Sequence, residues 1–259
     1  MTTGEVPEIY RVTARNTAPD SENRIHEDHT AAGYGFRAGL VPGVTVYGYM
    51  TVPVVRRYGE EWLRRGGMRL RLLQPAYDGD RVVVQMVGNT VQARRQDGAD
   101  LATGEVTRPP TAAPALDQYP EKQLPSEKPL ASAETLAPGT VLGTLRVRLS
   151  LPDTEFLSTQ DERLILYEKG LMHPAALLSL SNHLLMQNVK LGPWLHVSSD
   201  LRHFDLARDG DELVLRGKVA ECFERKGHQF VILDIIAVTG DRLIQQVRHT
   251  AIYRLRPPA

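Results

Sequence analysis

The chain matches itself. Gly39-Leu40 and Gly170-Leu171 lie 131 residues apart, and each opens an apolar, helix-like run, Val44 to Val55 in the first case and Ala175 to Val189 in the second. At the same offset Asp78-Gly79-Asp80 matches Asp209-Gly210-Asp211. Each triplet precedes an alternating segment, Arg81-Val82-Val83-Val84-Gln85 or Glu212-Leu213-Val214-Leu215-Arg216. Between the anchors, Leu70-Arg71 aligns with Leu201-Arg202 and Ala76 with Ala207, without a gap. A lone Asp-Gly-Asp turn is common, because Gly supplies positive φ and Asp initiates turns. Two anchors held in register over about forty residues indicate a duplicated unit.

Each unit reads as an opening strand, a loop, one long helix and then a run of antiparallel strands. In the first unit the strands fall near Ile9–Arg15, Met68–Ala76, Arg81–Gln92 and Asp100–Arg108. In the second they fall near Gly143–Leu149, Leu195–Phe204, Glu212–Phe223, Gln229–Thr239 and Leu243–Arg254, with hairpin turns at Gly227 and Gly240-Asp241. Both helical runs carry almost no charge, so each helix should be buried on most sides. Pro53 falls inside the first and should kink or shorten it. From Arg108-Pro109-Pro110 to Pro129 the chain is rich in Pro, Ala and Lys without periodicity and reads as an extended linker. The expected organisation is therefore α+β: a first unit over 1–108, a linker over 109–138 and a second unit over 139–259, each a long helix wrapped by a curved antiparallel sheet.

Composition narrows the function classes. Lys plus Arg and Asp plus Glu number 31 each, so no net field would hold nucleic acid or an anionic membrane. The basic pairs Arg56-Arg57, Arg64-Arg65 and Arg94-Arg95 read as solvated surface, or else as contacts to a phosphorylated carrier. Cys222 is the only cysteine, which excludes an internal disulfide and a cysteine-based zinc site. No apolar run approaches the ~20 residues that span a bilayer. The first residues carry neither the basic start nor the apolar core of a signal peptide, so a cytoplasmic protein is expected.

Chemistry concentrates in one loop. Ser21-Glu22-Asn23-Arg24-Ile25-His26-Glu27-Asp28 is followed by Gly35-Phe36, then by Gly39-Leu40-Val41-Pro42-Gly43 at the start of the first helix. This order resembles the signature of the MaoC-like (R)-specific hydratases and dehydratases, roughly Asp-x-Asn-Pro-x-His-x-Asp, then Gly-Phe, then a helix-opening Gly. Asn23, His26, Asp28, Phe36 and Gly43 match it; Ser21 stands in the place of the catalytic Asp, and Arg24 in that of the Pro. The resemblance implies a double hot-dog fold, in which one chain imitates a dimer, as a pseudo-dimeric monomer or a homodimer. It also implies an acyl thioester of coenzyme A or of acyl carrier protein as substrate, and no cofactor. By the same resemblance His26 holds the reacting water, Asn23 fixes the loop, and the Gly43 N–H receives the thioester oxygen, with Phe36 and Val41 beside it.

Other readings of these residues stand beside that one. A buried helix N-terminus is an anion site whatever the family. His26 is otherwise a hydrogen-bonded loop residue, Asn23 a turn cap, and Asp28 the N-cap of a short Thr30–Gly33 helix. His26-x-x-His29 imitates metal-ligand spacing, but no second ligand cluster accompanies it, so no metal is expected. A serine cannot accept a proton at neutral pH without a base of its own. A bulge could bring Asp20 inward in place of Ser21, His26 could act alone, or Ser21 and His26 could form a nucleophilic pair. If only the carboxylate is missing, Ser21→Asp should restore the acid–base pair. The equivalent loop of the second unit, Leu151 to Leu157, lacks an Asn-x-x-His, although His173 precedes the second helix as a remnant, a helix cap or part of the pocket wall. Cys222, His183, His196, His203, His228 and His249 form no constellation recognisable from spacing. One working site in the first half is expected, with the second half shaping the acyl tunnel. A thioester hydrolase and a non-catalytic acyl-thioester-binding protein are the alternative functions.

Overall fold

In a computed structural model of the protein, residues 7–107, 112–151, 166 and 169–256 are described. The first unit contains strands β1 (Glu8–Thr13), β2 (Gly67–Leu72), β3 (Arg81–Val87), β4 (Thr90–Arg95) and β5 (Asp100–Thr107). A short helix α1 (Asp28–Gly33) and a long helix α2 (Gly43–Arg65) lie between β1 and β2. The second unit contains β6 (Leu145–Arg148), α3 (Pro174–Asn188), β7 (Leu195–His203), β8 (Glu212–Arg225), β9 (His228–Thr239) and β10 (Arg242–Arg254). The segment expected as one strand over Arg81–Gln92 is two, because Gly88 at φ 57° and Asn89 form a two-residue turn between the paired residues Val87 and Thr90.

All ten strands join one sheet in the order β1-β3-β4-β5-β2-β7-β10-β9-β8-β6, every neighbour antiparallel. The order reads the same from both edges once the second unit is mapped onto the first. At the centre, Arg69 faces Asp200 across the β2–β7 ladder. These two positions are equivalents in the repeat, so a local twofold axis passes between them, as at the interface of a symmetric dimer. The duplicated turns are equivalent bond for bond. Asp78 Oδ1 accepts the Asn16 N–H at 2.8 Å and Asp209 Oδ1 that of Leu151 at 2.7 Å, while Asp80 Oδ2 accepts from Tyr77 and Asp211 Oδ2 from Arg208, each at 2.9 Å.

The sheet wraps the two helices, each at the centre of its own core. Every residue of α2 from Val44 to Val55 is buried, with Met68, Val82, Val84, Met86, Val91 and Leu101 of the surrounding strands packed on it. Around α3, Leu177, Leu184 and Leu185 meet Leu213, Leu215, Leu233 and Ile235. Residues of the second unit, among them Ala175 and Leu178, also belong to the α2 core, so the units share an apolar boundary.

Pro53 does not end α2. The helix runs on to Arg65, and its break comes at Gly59, at φ 61° and ψ −148°. Beyond the break Trp62 and Leu63 bury themselves, while Arg64 pairs with Glu60 and Asp205, so the last turns are held by their own contacts. Only Gly adopts this backbone geometry without strain. No atom would touch an added Cβ at Gly59. Gly59→Ala is therefore expected to lower stability by about 1–3 kcal/mol through backbone strain alone. A denaturation midpoint equal to that of the parent would show that the break relaxes.

The segment expected as an extended linker is fixed over its described part. Leu116–Gln118 form a 3-10 turn, the Tyr119 hydroxyl donates to Asp234 Oδ2 at 2.7 Å on the sheet, and Leu136 is fully buried in the second core. No helix among the described residues is long and apolar enough to cross a membrane.

Candidate active site

The loop between β1 and α2 is braced by its own polar residues. Asn16 Nδ2 donates to the His26 carbonyl at 2.7 Å, and Asp28 Oδ1 accepts the Gly39 N–H at 2.7 Å. Asp28 therefore pins the loop and does not cap α1, whose N-cap is Glu27. A Cβ at Gly39 would collide with the His26 carbonyl, so the two arms of the loop approach this closely only with Gly there. Asn23 caps the 3-10 turn Arg24–His26, and its buried amide also reaches the second unit. Its Nδ2 donates to the Trp194 carbonyl at 3.0 Å, and its Oδ1 accepts the Trp194 N–H at 3.2 Å. The turn-cap and site readings of Asn23 thus describe one residue, because the same amide lies 3.4 Å from His26 Nε2.

His26 is held in one tautomer. Its Nδ1 lies 2.7 Å from the Leu40 carbonyl, which can only accept, so Nδ1 carries the proton and Nε2 keeps its lone pair. Burial lowers the pKa of the ring below 6.5, more strongly than the Leu40 carbonyl raises it. The imidazole is thus neutral at pH 7 and able to act as a base.

His26 borders a cavity of about 320 Å³ between the two units. Phe36, Val41, Val46 and Leu72 wall it from the first unit, and Leu195, Val197 and Ile252 from the second. Its polar lining comes from Asn23, His26, Gln74, Asn182 and His196, and it holds no carboxylate. Gly43, the first residue of α2, also borders it; no side chain caps that helix, so its leading N–H groups and positive dipole end lie at the cavity. A Cβ at Gly43 would run into Leu72 and come within 3.1 Å of His196 Nδ1.

The structure thus brings His26, Asn23, Phe36, Val41 and Gly43 together and leaves the other sequence candidates outside. Ser21 turns its hydroxyl onto the Asn23 carbonyl at 3.2 Å, and neither Ser21 nor Asp20 borders the cavity. His173 is the N-cap of α3, where Nδ1 accepts the Ala175 N–H at 3.1 Å, and it too lies off the cavity. Of the second-unit loop compared with the motif, residues 152–157 lie outside the described residues. Among the described residues no three His, Cys, Asp or Glu side chains converge as a metal site.

Two cavity residues carry no signal in the spacing. Asn182 sits on α3, with Oδ1 buried and without a partner among the described residues. His196 Nε2 lies 2.9 Å from Ser199 Oγ, which lies 3.1 Å from His249 Nδ1, and the two rings stack at 4.4 Å. Residues three apart on a regular strand face opposite ways. Here a bulge between Ser198, paired with Thr250, and His196, paired with Ala251, sets aside Val197 and lets His196 and Ser199 share a face. Only the pairing register shows this; the sequence alone does not.

No family model matches the chain, and no curated protein sequence matches it. Solved structures do. The conserved hypothetical protein RV0216 of Mycobacterium tuberculosis, which has a double hotdog fold, superposes with a TM-score of 0.66 at 14% identity over 97% of this chain and 96% of its own. A MaoC-like dehydratase gives 0.60 at 13% identity, with 97% and 98% covered. A protein of Lactobacillus plantarum, provisionally named an oleoyl thioesterase, gives 0.55 at 11% identity, with 99% of both chains covered. Shared architecture over nearly the whole length, with the twofold sheet and two wrapped helices described above, makes this chain a double hot-dog.

Proposed function

We propose that the protein is an enzyme that reversibly hydrates a 2-enoyl thioester to a 3-hydroxyacyl thioester. The observation that carries this reading is His26, a neutral imidazole in a single tautomer with an unprotonated Nε2 3.4 Å from the Asn23 amide, bordering a cavity that also receives the open N-terminus of α2. The similarity in fold to a MaoC-like dehydratase supports it. His26 Nε2 removes a proton from water as the water oxygen bonds to the β-carbon. The alkene electron pair moves toward the thioester oxygen, where the Gly43 end of α2 stabilises the negative charge. The imidazolium then returns its proton to the α-carbon, so one histidine serves as base and then as acid, and no carboxylate is required. Asn23 orients the ring, while Phe36 and Val41 contact the acyl group. The substrate is a thioester of coenzyme A or of acyl carrier protein.

A second reading, thioester hydrolysis, is supported by the fold shared with the Lactobacillus plantarum protein. A panel of enoyl, 3-hydroxyacyl and saturated thioesters separates the two. Loss of enoyl absorbance without thiol release marks hydration, and free thiol marks hydrolysis. Ligand-dependent stabilisation without any product marks a binding protein. Because Ser21 and Asp20 do not border the cavity, Ser21→Asp and Asp20→Asn are each expected to change the hydration rate less than about threefold, far below the 10²–10⁴ of a positioned acid or base. A large gain from Ser21→Asp would mean that the loop turns inward on binding.

A further inference from the structure

We propose that His196 is a second hydrogen-bond donor to the thioester oxygen, contributed by the second unit and set in its tautomer by Ser199 and His249. The inference rests on the acyl-thioester reading and names a residue of that same site. His196 borders the cavity, and its Nδ1 faces the place at Gly43 where any other residue would carry a Cβ. Imidazole and α2 N-terminus therefore meet at one point. Two ring nitrogens of the cluster, His196 Nδ1 and His249 Nε2, are buried and have no hydrogen-bond partner among the described residues.

The single hydroxyl proton of Ser199 decides where the others go. It can be given to His196 Nε2 or to His249 Nδ1, and the remaining imidazole must then donate to Ser199 Oγ. If Ser199 donates to His249, the unmatched N–H of the cluster is His249 Nε2, which is enclosed and away from the cavity. If Ser199 donates to His196 Nε2, the unmatched N–H is His196 Nδ1, beside Gly43, where a ligand oxygen can accept it. A buried N–H without an acceptor is costlier and rarer than an acceptor without a donor. In the free protein either arrangement leaves one buried N–H unmatched; a ligand oxygen at the cavity completes only the second, which leaves the deep nitrogen as a lone pair and turns the N–H toward the cavity.

Burial holds both rings neutral at pH 7, with His196 lowered to about 4. A neutral imidazole donor polarises a carbonyl without competing for the proton that His26 handles. His196 would touch the substrate; Ser199 and His249 act through it as positioning residues.

The test combines spectroscopy and kinetics. In histidine-¹⁵N-labelled protein saturated with butyryl-pantetheine thioester, His196 and His249 are both expected to carry their proton on Nδ1; an Nε2-protonated His196 overturns the proposal. Titration with butyryl-pantetheine thioester should move the His196 Nδ1–H resonance strongly downfield, and saturation without a shift overturns it. His196→Phe keeps an aromatic ring against His249 but has no donor, and should lower kcat by about 10²–10³ with little change in KM. His196→Asn places an amide N–H near the Nδ1 position and should recover part of that loss. Ser199→Ala should scramble the tautomer with a smaller fall in kcat. Parental kcat in a folded His196→Phe overturns the proposal while leaving the thioester reading intact. Absence of both turnover and thioester binding in the parent removes the thioester reading, and this inference with it.

Discussion

Acidification below pH 6.5 is expected to unfold this protein steeply. His173, His196, His203 and His249 are enclosed in the fold and kept neutral by burial. Their pKa values fall to about 3 for His173 and about 4 for His196 and His203, and well below 6.5 for His249. In the unfolded chain the same groups titrate near 6.5. Below that pH the unfolded state binds protons that the native state refuses, so stability is fully present above 6.5 and declines as the pH falls toward 4. Each such proton costs about 1.4 kcal/mol per pH unit, and four cost roughly 5 kcal/mol per unit once the unfolded chain is fully protonated. Against a typical domain stability of about 5–15 kcal/mol, two to three pH units suffice. Urea melts at pH 7.5, 6.5, 5.5 and 4.5 measure this directly. A midpoint that stays level down to pH 4.5 would mean that the four rings take up protons within the native structure.

Replacing His26 with Ala should abolish turnover while leaving the fold standing. Removal of the base proposed at the cavity should cost about 10²–10⁴ in kcat/KM. The structural cost is the bond to the Leu40 carbonyl, worth about 0.5–1.5 kcal/mol net. Steady-state kinetics on an enoyl thioester beside a thermal melt checks both parts. Retained activity with a large loss of stability would make His26 a structural residue of the loop. The equivalent test on His173 should invert the pattern: His173→Ala removes the cap of α3 and destabilises, with activity preserved in the folded fraction.

The sequence made some parts of this molecule legible because they rest on local rules. Asp-Gly-Asp turns and uncharged helices are written in neighbouring residues, so the starts of α2 at Gly43 and of α3 at Pro174 follow from short stretches of chain. Ladder pairing between strands distant in sequence is not written that way. His196, Ser199 and His249 look unrelated along the chain and meet only through the bulged β7–β10 register. Motif spacing likewise gives His26 and Asn23 but not the side-chain direction of Ser21, which depends on how tightly the loop turns. Pro53 misled for an energetic reason. Burial of α2 on all sides from Val44 to Val55 outweighs the loss of one backbone hydrogen bond, and the break moves to the first glycine beyond the core.

The amide of Asn23 is tied to the main chain of Trp194, a partner 171 residues further along. During synthesis the first unit emerges with its helix, its strands and its histidine, but the ribosome needs roughly 4–17 s more, at about 5–20 residues per second, to supply the segment that clamps the loop. A nascent or truncated chain would thus hold a first half whose His26 loop has nothing to close against. Under the proposed reading, activity would arrive only once Leu195, Val197 and Ile252 wall the cavity, and a chain stopped short of them would have no working site.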